Sequence, residues 1–244
     1  MRPGRGLVVG AILAGGLLLT VSTAGVALPP WVVRAVLVAT GLGGWFWTQS
    51  LIARRAFPEG RIGDGLHELT APLNRRLLAQ PRWADRVLIA TSALIDLLGI
   101  FLVILTIVGP SLRPFLGLLI LYALRQICQG LCALPPPEGM IWRHPGFPSL
   151  LVTYGTSTDL FFSGHTAIAV YGAIELGHWG GPGLAILGVL IALVEAATVL
   201  VLRAHYTMDV FAAAVTALWV WAVASALAPG LDRLLAGVTV VGGG

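Results

Sequence analysis

Two short stretches of this chain hold the residue types needed to move a phosphoryl group. The first, Asp159-Leu-Phe-Phe-Ser-Gly-His-Thr166, sets a carboxylate, a hydroxyl, a glycine and an imidazole at the start of an apolar run. The second, Arg203-Ala-His-Tyr-Thr-Met-Asp209, follows a further apolar run. His205 and Asp209 are four apart at a helix start and so share a face. The carboxylate can take the proton of one ring nitrogen and leave the other as a nucleophile. His165, at the mouth of the other helix, can protonate a departing alkoxide and then accept a proton from the incoming acceptor. Ser163, Gly164 and His165 open that helix, where free N–H groups and the helix dipole favour an anion. Arg125 and Arg203 can neutralise non-bridging phosphate oxygens. Arg143, Asp159 and Thr166 are candidates for a supporting layer. The acidic residues are scattered, without metal-ligand spacing, so neither a metal nor another cofactor is expected.

The elements that must position these groups are membrane helices. Of 244 residues, 57% are hydrophobic and 11% charged, against about 25% charged in soluble domains. Several runs reach the roughly 18–20 apolar residues that cross a bilayer. The fold class is therefore all-α, a polytopic transmembrane helical bundle forming a single membrane domain over 1–244. Residues 7–28 form an extra N-terminal span, and whether they are cleaved stays open. A six-helix core covers 31–228, with spans at 31–53, 87–109, 115–134, 165–179, 184–202 and 207–228. Residues 229–244 read as a flexible tail. The polar connector 54–86 places Ile62, Leu66, Leu69, Leu73 and Leu77 at helical spacing, as in an amphipathic helix in the headgroup layer. It serves either as a solvated link or as a wall of the substrate entrance.

Alternating the spans brings Arg125, Ser163 to His165, Arg203 to His205 and the connector to one membrane face. The other face receives Arg34, Arg113, Asp232 and Arg233. Asp96 lies within a span, where an acid must face the bundle or a partner. Arg125 can instead pair with Asp96, Glu175 or Glu195. His67, His144 and His178 are assigned structural roles, and Cys128 and Cys132 are read as buried thiols. The net charge is +4 and every basic residue is arginine. These arginines flank spans, which argues against nucleic acid as a partner and for phosphate or anionic headgroups.

Phe162-Ser-Gly-His-Thr166, with Asp159 six before the histidine, resembles the third motif of the sphingomyelin synthases, and His205-Tyr-Thr-Met-Asp-Val210 resembles their fourth. Arg125 followed by Leu134-Pro-Pro-Pro137 is similar to the helix that precedes those motifs. The arginine two before the histidine, Arg203, resembles even more the plant phosphatidylcholine:diacylglycerol cholinephosphotransferases. Both groups belong to the type 2 phosphatidic acid phosphatase superfamily. The resemblance implies a six-helix core and a catalytic triad of His165, His205 and Asp209. The hydrolytic branch carries a lysine in its first motif and an arginine six before the second histidine. This chain has no lysine and has Val199 there.

The leading expectation is a lipid phosphotransferase moving a phosphoryl-headgroup, of phosphocholine or phosphoethanolamine type, from a phospholipid donor to a lipid hydroxyl through a phosphohistidine. Diacylglycerol or ceramide is the acceptor. The alternatives are a lipid phosphate phosphatase with water as acceptor and a non-catalytic lipid transporter or scaffold. Arginine counts make the active face cytoplasmic, whereas the resemblance implies the other leaflet. Homo-oligomerisation is left open.

Overall fold

The computed structural model describes residues 29–54, 62–154 and 160–240. The proposed span 7–28 and Asp159 lie outside the described residues. Six helices and no strand occur among those described: α1 Pro30–Ile52, α2 Gly65–Ala79, α3 Pro81–Val108, α4 Arg113–Leu131, α5 Gly164–Val201 and α6 Thr207–Val240. All but α2 are long and apolar enough to cross a membrane.

The helix α5 is two crossings in one. At Gly181 the backbone turns to φ 76°, ψ −164°, immediately before Pro182. Glycine tolerates that left-handed φ without a Cβ clash, and proline cannot continue the ladder of the preceding limb. The limbs 164–180 and 182–201 fold back on each other. Gly188 sits directly on the backbone of Ala173, where a Cβ would lie 2.6 Å from its Cα. With α1, α3, α4, α6 and these two limbs, the six crossings of the expected core are present. The chain is an integral multi-pass membrane protein.

Helix α6 packs on α4 and α5. Ala213, Ala217, Val220, Ala224 and Ala228 form its buried edge. Small residues let membrane helices approach closely, because lipid supplies no hydrophobic drive between them. The helix does not stop at Ala228. It runs on to Val240 with Pro229 inside it, so the expected flexible tail is corrected for all but the last four residues, which lie outside those described. Proline is tolerated in membrane helices whose freed carbonyls are satisfied locally.

The polar residues divide between two ends. At one end Arg34 bonds the carbonyls of Thr106, Gly109 and Pro110, Asp232 accepts the N–H of Leu112, and Arg113 makes a two-pronged pair with Glu175 at 2.9 Å. Tyr171 donates to the Arg113 carbonyl at 2.9 Å, and His178 stacks on Trp221. The other end holds α2, the loop 132–154 and the first turns of α5 and α6.

Candidate active site

Two helix starts build the site. Ser163 is the N-cap of α5, its hydroxyl accepting from the Thr166 N–H at 3.3 Å and the Thr166 hydroxyl at 3.1 Å. This fixes Gly164 and His165 in the first turn. At the other start, Asp209 accepts the N–H of Tyr206 at 2.8 Å. The N–H of Ser163 then donates to the Asp209 carbonyl at 3.2 Å, which stitches the two starts together. His165 and His205 consequently line one cavity of about 40 Å³, together with Arg125, Gly164, Trp142 and Leu160.

Proton positions follow from acceptor chemistry. Nδ1 of His205 lies 2.8 Å from the Leu160 carbonyl. A carbonyl only accepts, so Nδ1 carries the proton and Nε2 keeps a lone pair. Asp209 Oδ2 is 3.7 Å from Nδ1, beyond hydrogen-bond range. In this arrangement Nδ1 sits on the Leu160 carbonyl, where Asp209 was expected to take the ring proton, and Asp209 Oδ2 accepts the Tyr206 N–H. The Asp209 side chain is fully buried beside the ring.

His165 is 6% exposed, set edge-on to Trp142 with ring centroids 5.3 Å apart. Its Nε2 has no hydrogen-bond partner among the described residues. A buried polar atom left so is costly unless a ligand completes it. Arg125 donates from Nε to the Phe162 carbonyl at 2.9 Å, and its guanidinium lies against Gly164, where a Cβ would come within 3.3 Å of Nε.

Other expected site residues stand elsewhere. Arg203, at φ 52° in the turn between α5 and α6, gives its guanidinium to the carbonyls of Glu138 and His67, outside the cavity lining. Arg143 pairs with Asp85 at 2.6 Å and bonds the Pro81 carbonyl, bracing the loop against α3. The hydroxyls of Ser163 and Thr166 serve the cap. Asp96 accepts from the Ser149 hydroxyl and from the N–H groups of Leu150 and Leu151. Glu175 goes to Arg113 and Glu195 to Thr91. Among the described residues no three of His, Cys, Asp and Glu gather as for a metal.

Sequence reasoning missed the part played by α2. Asp64 caps this helix through the N–H groups of Leu66 and His67 and also accepts the N–H and hydroxyl of Thr207, both at 2.6 Å. Burial pushes the Asp64 carboxyl up, but the hydrogen bonds from Thr207 and His67 outweigh it and hold the group below its usual range. His67 donates from Nε2 to the His205 carbonyl at 2.9 Å and stacks on Tyr206. Burial, followed by the Asp209 and Asp64 carboxylates, raises the Tyr206 phenol. Asn74 bonds the carbonyls of Gly139 and Val201. The buried face of α2 thus grips the turn that bears His205, while Leu66, Leu69 and Leu73 are exposed on the other side. Aspartate three before histidine is a helix-start signal, but nothing local in sequence says where that helix docks.

A multi-pass helical membrane protein with two imidazoles and a guanidinium around one small polar cavity is the class that fold and site define. The family model AtPDCT1/2, that of the plant phosphatidylcholine:diacylglycerol cholinephosphotransferases, matches residues 64–226. The chain belongs to this family. The match begins at Asp64, the cap that joins α2 to α6. No curated protein and no solved structure matches the chain.

Proposed function

We propose that the protein transfers a phosphoryl-headgroup, phosphocholine first among candidates, from a phospholipid to a lipid hydroxyl, diacylglycerol before ceramide. The family's name supports this donor and acceptor. The observation that carries the chemistry is the pairing of two ring nitrogens on one cavity: the lone pair of His205 Nε2 and the unpartnered Nε2 of His165.

In the first half-reaction His205 Nε2 attacks phosphorus and the bond from phosphorus to the diacylglycerol oxygen breaks. Protonated His165 gives its proton to that oxygen, so no free alkoxide leaves. The Leu160 carbonyl holds the Nδ1 proton throughout, and Asp209 balances the positive charge that the imidazole gains on phosphorylation. Arg125 and the Gly164 N–H at the start of α5 bear on the phosphoryl oxygens. In the second half-reaction His165 takes the proton of the acceptor hydroxyl, whose oxygen attacks phosphorus. The P–N bond breaks and His205 returns neutral. Arg203, Arg143, Ser163 and Thr166 hold the frame in this scheme.

The test is purified protein in mixed-lipid liposomes with an isotope-labelled headgroup, with products and quenched peptides read by mass spectrometry. Labelled product and a headgroup-phosphoryl adduct on the peptide bearing His205 are expected. Folded His205→Ala and His165→Ala proteins should lose about 10²–10⁴-fold in rate. Transfer persisting in His205→Ala sinks the covalent route. Inorganic phosphate released from phosphatidic acid without headgroup exchange makes water the acceptor.

A further inference from the structure

A second cavity lies below the first. It is a groove of about 140 Å³ between α1, α3 and α4, almost wholly apolar, whose walls include Gly41, Gly99, Val103, Phe115, Leu119 and Tyr122. Its top is closed by Leu150 and Leu151 of the loop that precedes α5. The next two residues, Val152 and Thr153, line the polar cavity that holds His165 and His205. One strand of loop therefore forms the partition between the two spaces. That strand is fastened from below: Asp96 accepts the N–H groups of Leu150 and Leu151 at 2.8 and 2.9 Å, and the Leu151 side chain rests on the bare backbone of Gly99.

We propose that this groove binds one acyl chain of the lipid whose phosphate sits between the histidines, with the 149–153 strand as the saddle over which that lipid bends. The inference rests on the headgroup-transfer reading for the position of the phosphate. Depth decides the occupant. Along α4 the groove runs from Tyr122, one turn from Arg125, down to Phe115. At about 1.5 Å per residue, Phe115 is roughly 15 Å below Arg125. Half the hydrocarbon thickness of a bilayer is also about 15 Å. A chain belonging to a lipid anchored at Arg125 would span the groove and end near the bilayer centre. Phe115 stops the groove against Gly41, where a Cβ would meet its ring at 2.7 Å. The side is open to the membrane, since Ile100, Ile104 and Leu119 are exposed.

The test uses full-length His205→Ala protein in liposomes, so that binding is read without turnover. The probe is a phospholipid carrying a photoreactive diazirine towards the end of one chain. Labelled peptides should contain Val103 or Leu119, and excess unlabelled long-chain phospholipid should lower the labelling by about tenfold or more. Val103→Trp, which fills the groove, should lower it equally in protein that melts like its parent. If that variant does not fold, the peptide map of the parent protein decides. Label spread evenly over the outward face of 182–201, or unaffected by competitor, overturns the proposal. So does a photoreactive residue placed at Leu119 that captures residues 7–28 of this chain or a second copy. Groove labelling in a protein whose wild type exchanges no headgroup keeps the chain site and discards the reaction.

Discussion

His67 offers the sharpest probe of how the candidate site is held, because it touches the turn that bears His205 without lining the cavity. In His67→Ala three things vanish: the bond from Nε2 to the His205 carbonyl, the stack on Tyr206, and the volume of a ring that is 6% exposed. A buried carbonyl deprived of its donor costs about 1–3 kcal/mol. Were all of that felt as displacement of the His205 turn, the rate would fall about 5- to 150-fold, since 1.4 kcal/mol is a factor of ten. Several ties to this turn remain, among them Asp64 to Thr207, Tyr206 to the Pro135 carbonyl and Arg203 to the Glu138 carbonyl. The expected loss is therefore about tenfold, in kcat rather than KM, because misplacing the nucleophile spoils attack geometry and leaves lipid binding intact. His67→Gln restores an N–H donor on a chain of similar reach and should recover most of it. The assay is headgroup exchange in liposomes over a range of donor, with a thermal melt of each variant. A His67→Ala protein whose melting point falls while kcat stays within about twofold refutes the reasoning. In that outcome α2 is a lid on the bundle and does not position His205.

Arg125 and Arg203 should separate by readout: Arg125→Met should cost about 10²-fold or more in kcat, beyond the lower melting point expected from baring the Phe162 carbonyl. Arg203→Met should lower the melting point with a smaller effect on kcat, since among the described residues its guanidinium bonds the carbonyls of Glu138 and His67. Gly164→Ala puts a methyl 3.3 Å from Arg125 Nε and should reduce transfer about tenfold without unfolding the protein, measured by exchange rate and circular dichroism. The Asp64 carboxyl is held below its ordinary 3.8 in the folded protein, so its contribution is complete above that value and is lost as pH falls through the lower folded value. Asp64→Asn should lower the melting point at neutral pH, where the carboxylate's contribution is complete, and flatten the acid limb so that the two proteins converge below pH 4; an unchanged limb removes Asp64 from the clamp.

The crossings were legible because most are apolar runs of bilayer length, and the shorter one at 165–179 is set off by the glycines and proline of 180–183, which are local signals. Alternating those crossings was enough to bring His165 and His205 to one end. The partners of these residues were not legible. Leu160 acts through a backbone carbonyl, which no side-chain pattern reveals. His67 and His205 are separated by 138 positions, and their contact depends on how α2 docks. Arg203 looked like a phosphate ligand, and Arg143 like a support for one, because arginine suits both phosphate and carbonyl oxygens. Only the fold shows that theirs are carbonyls and, for Arg143, the Asp85 carboxylate. Residues 229–240 looked like a tail because glycine and proline discourage helices in water, a weaker rule where the backbone cannot hydrogen-bond to solvent.

The Arg113–Glu175 pair makes α4 and α5 a pair of tongs. Gly117 leaves room for the Tyr171 hydroxyl to reach the Arg113 carbonyl, so the hinge is pinned twice. From there the jaws run in parallel, about 18 Å to Arg125 and about 15 Å to His165 at the helical rise. A swing of roughly 5° at the hinge would open the jaws by about 1.5 Å, a displacement of the size that costs about 10² in rate when reacting groups must meet. Bilayer thickness and lateral tension act on the tilt of such limbs, so a strain taken up around Arg113 and Glu175 would be felt at Arg125 and His165, at the far end of the same two helices.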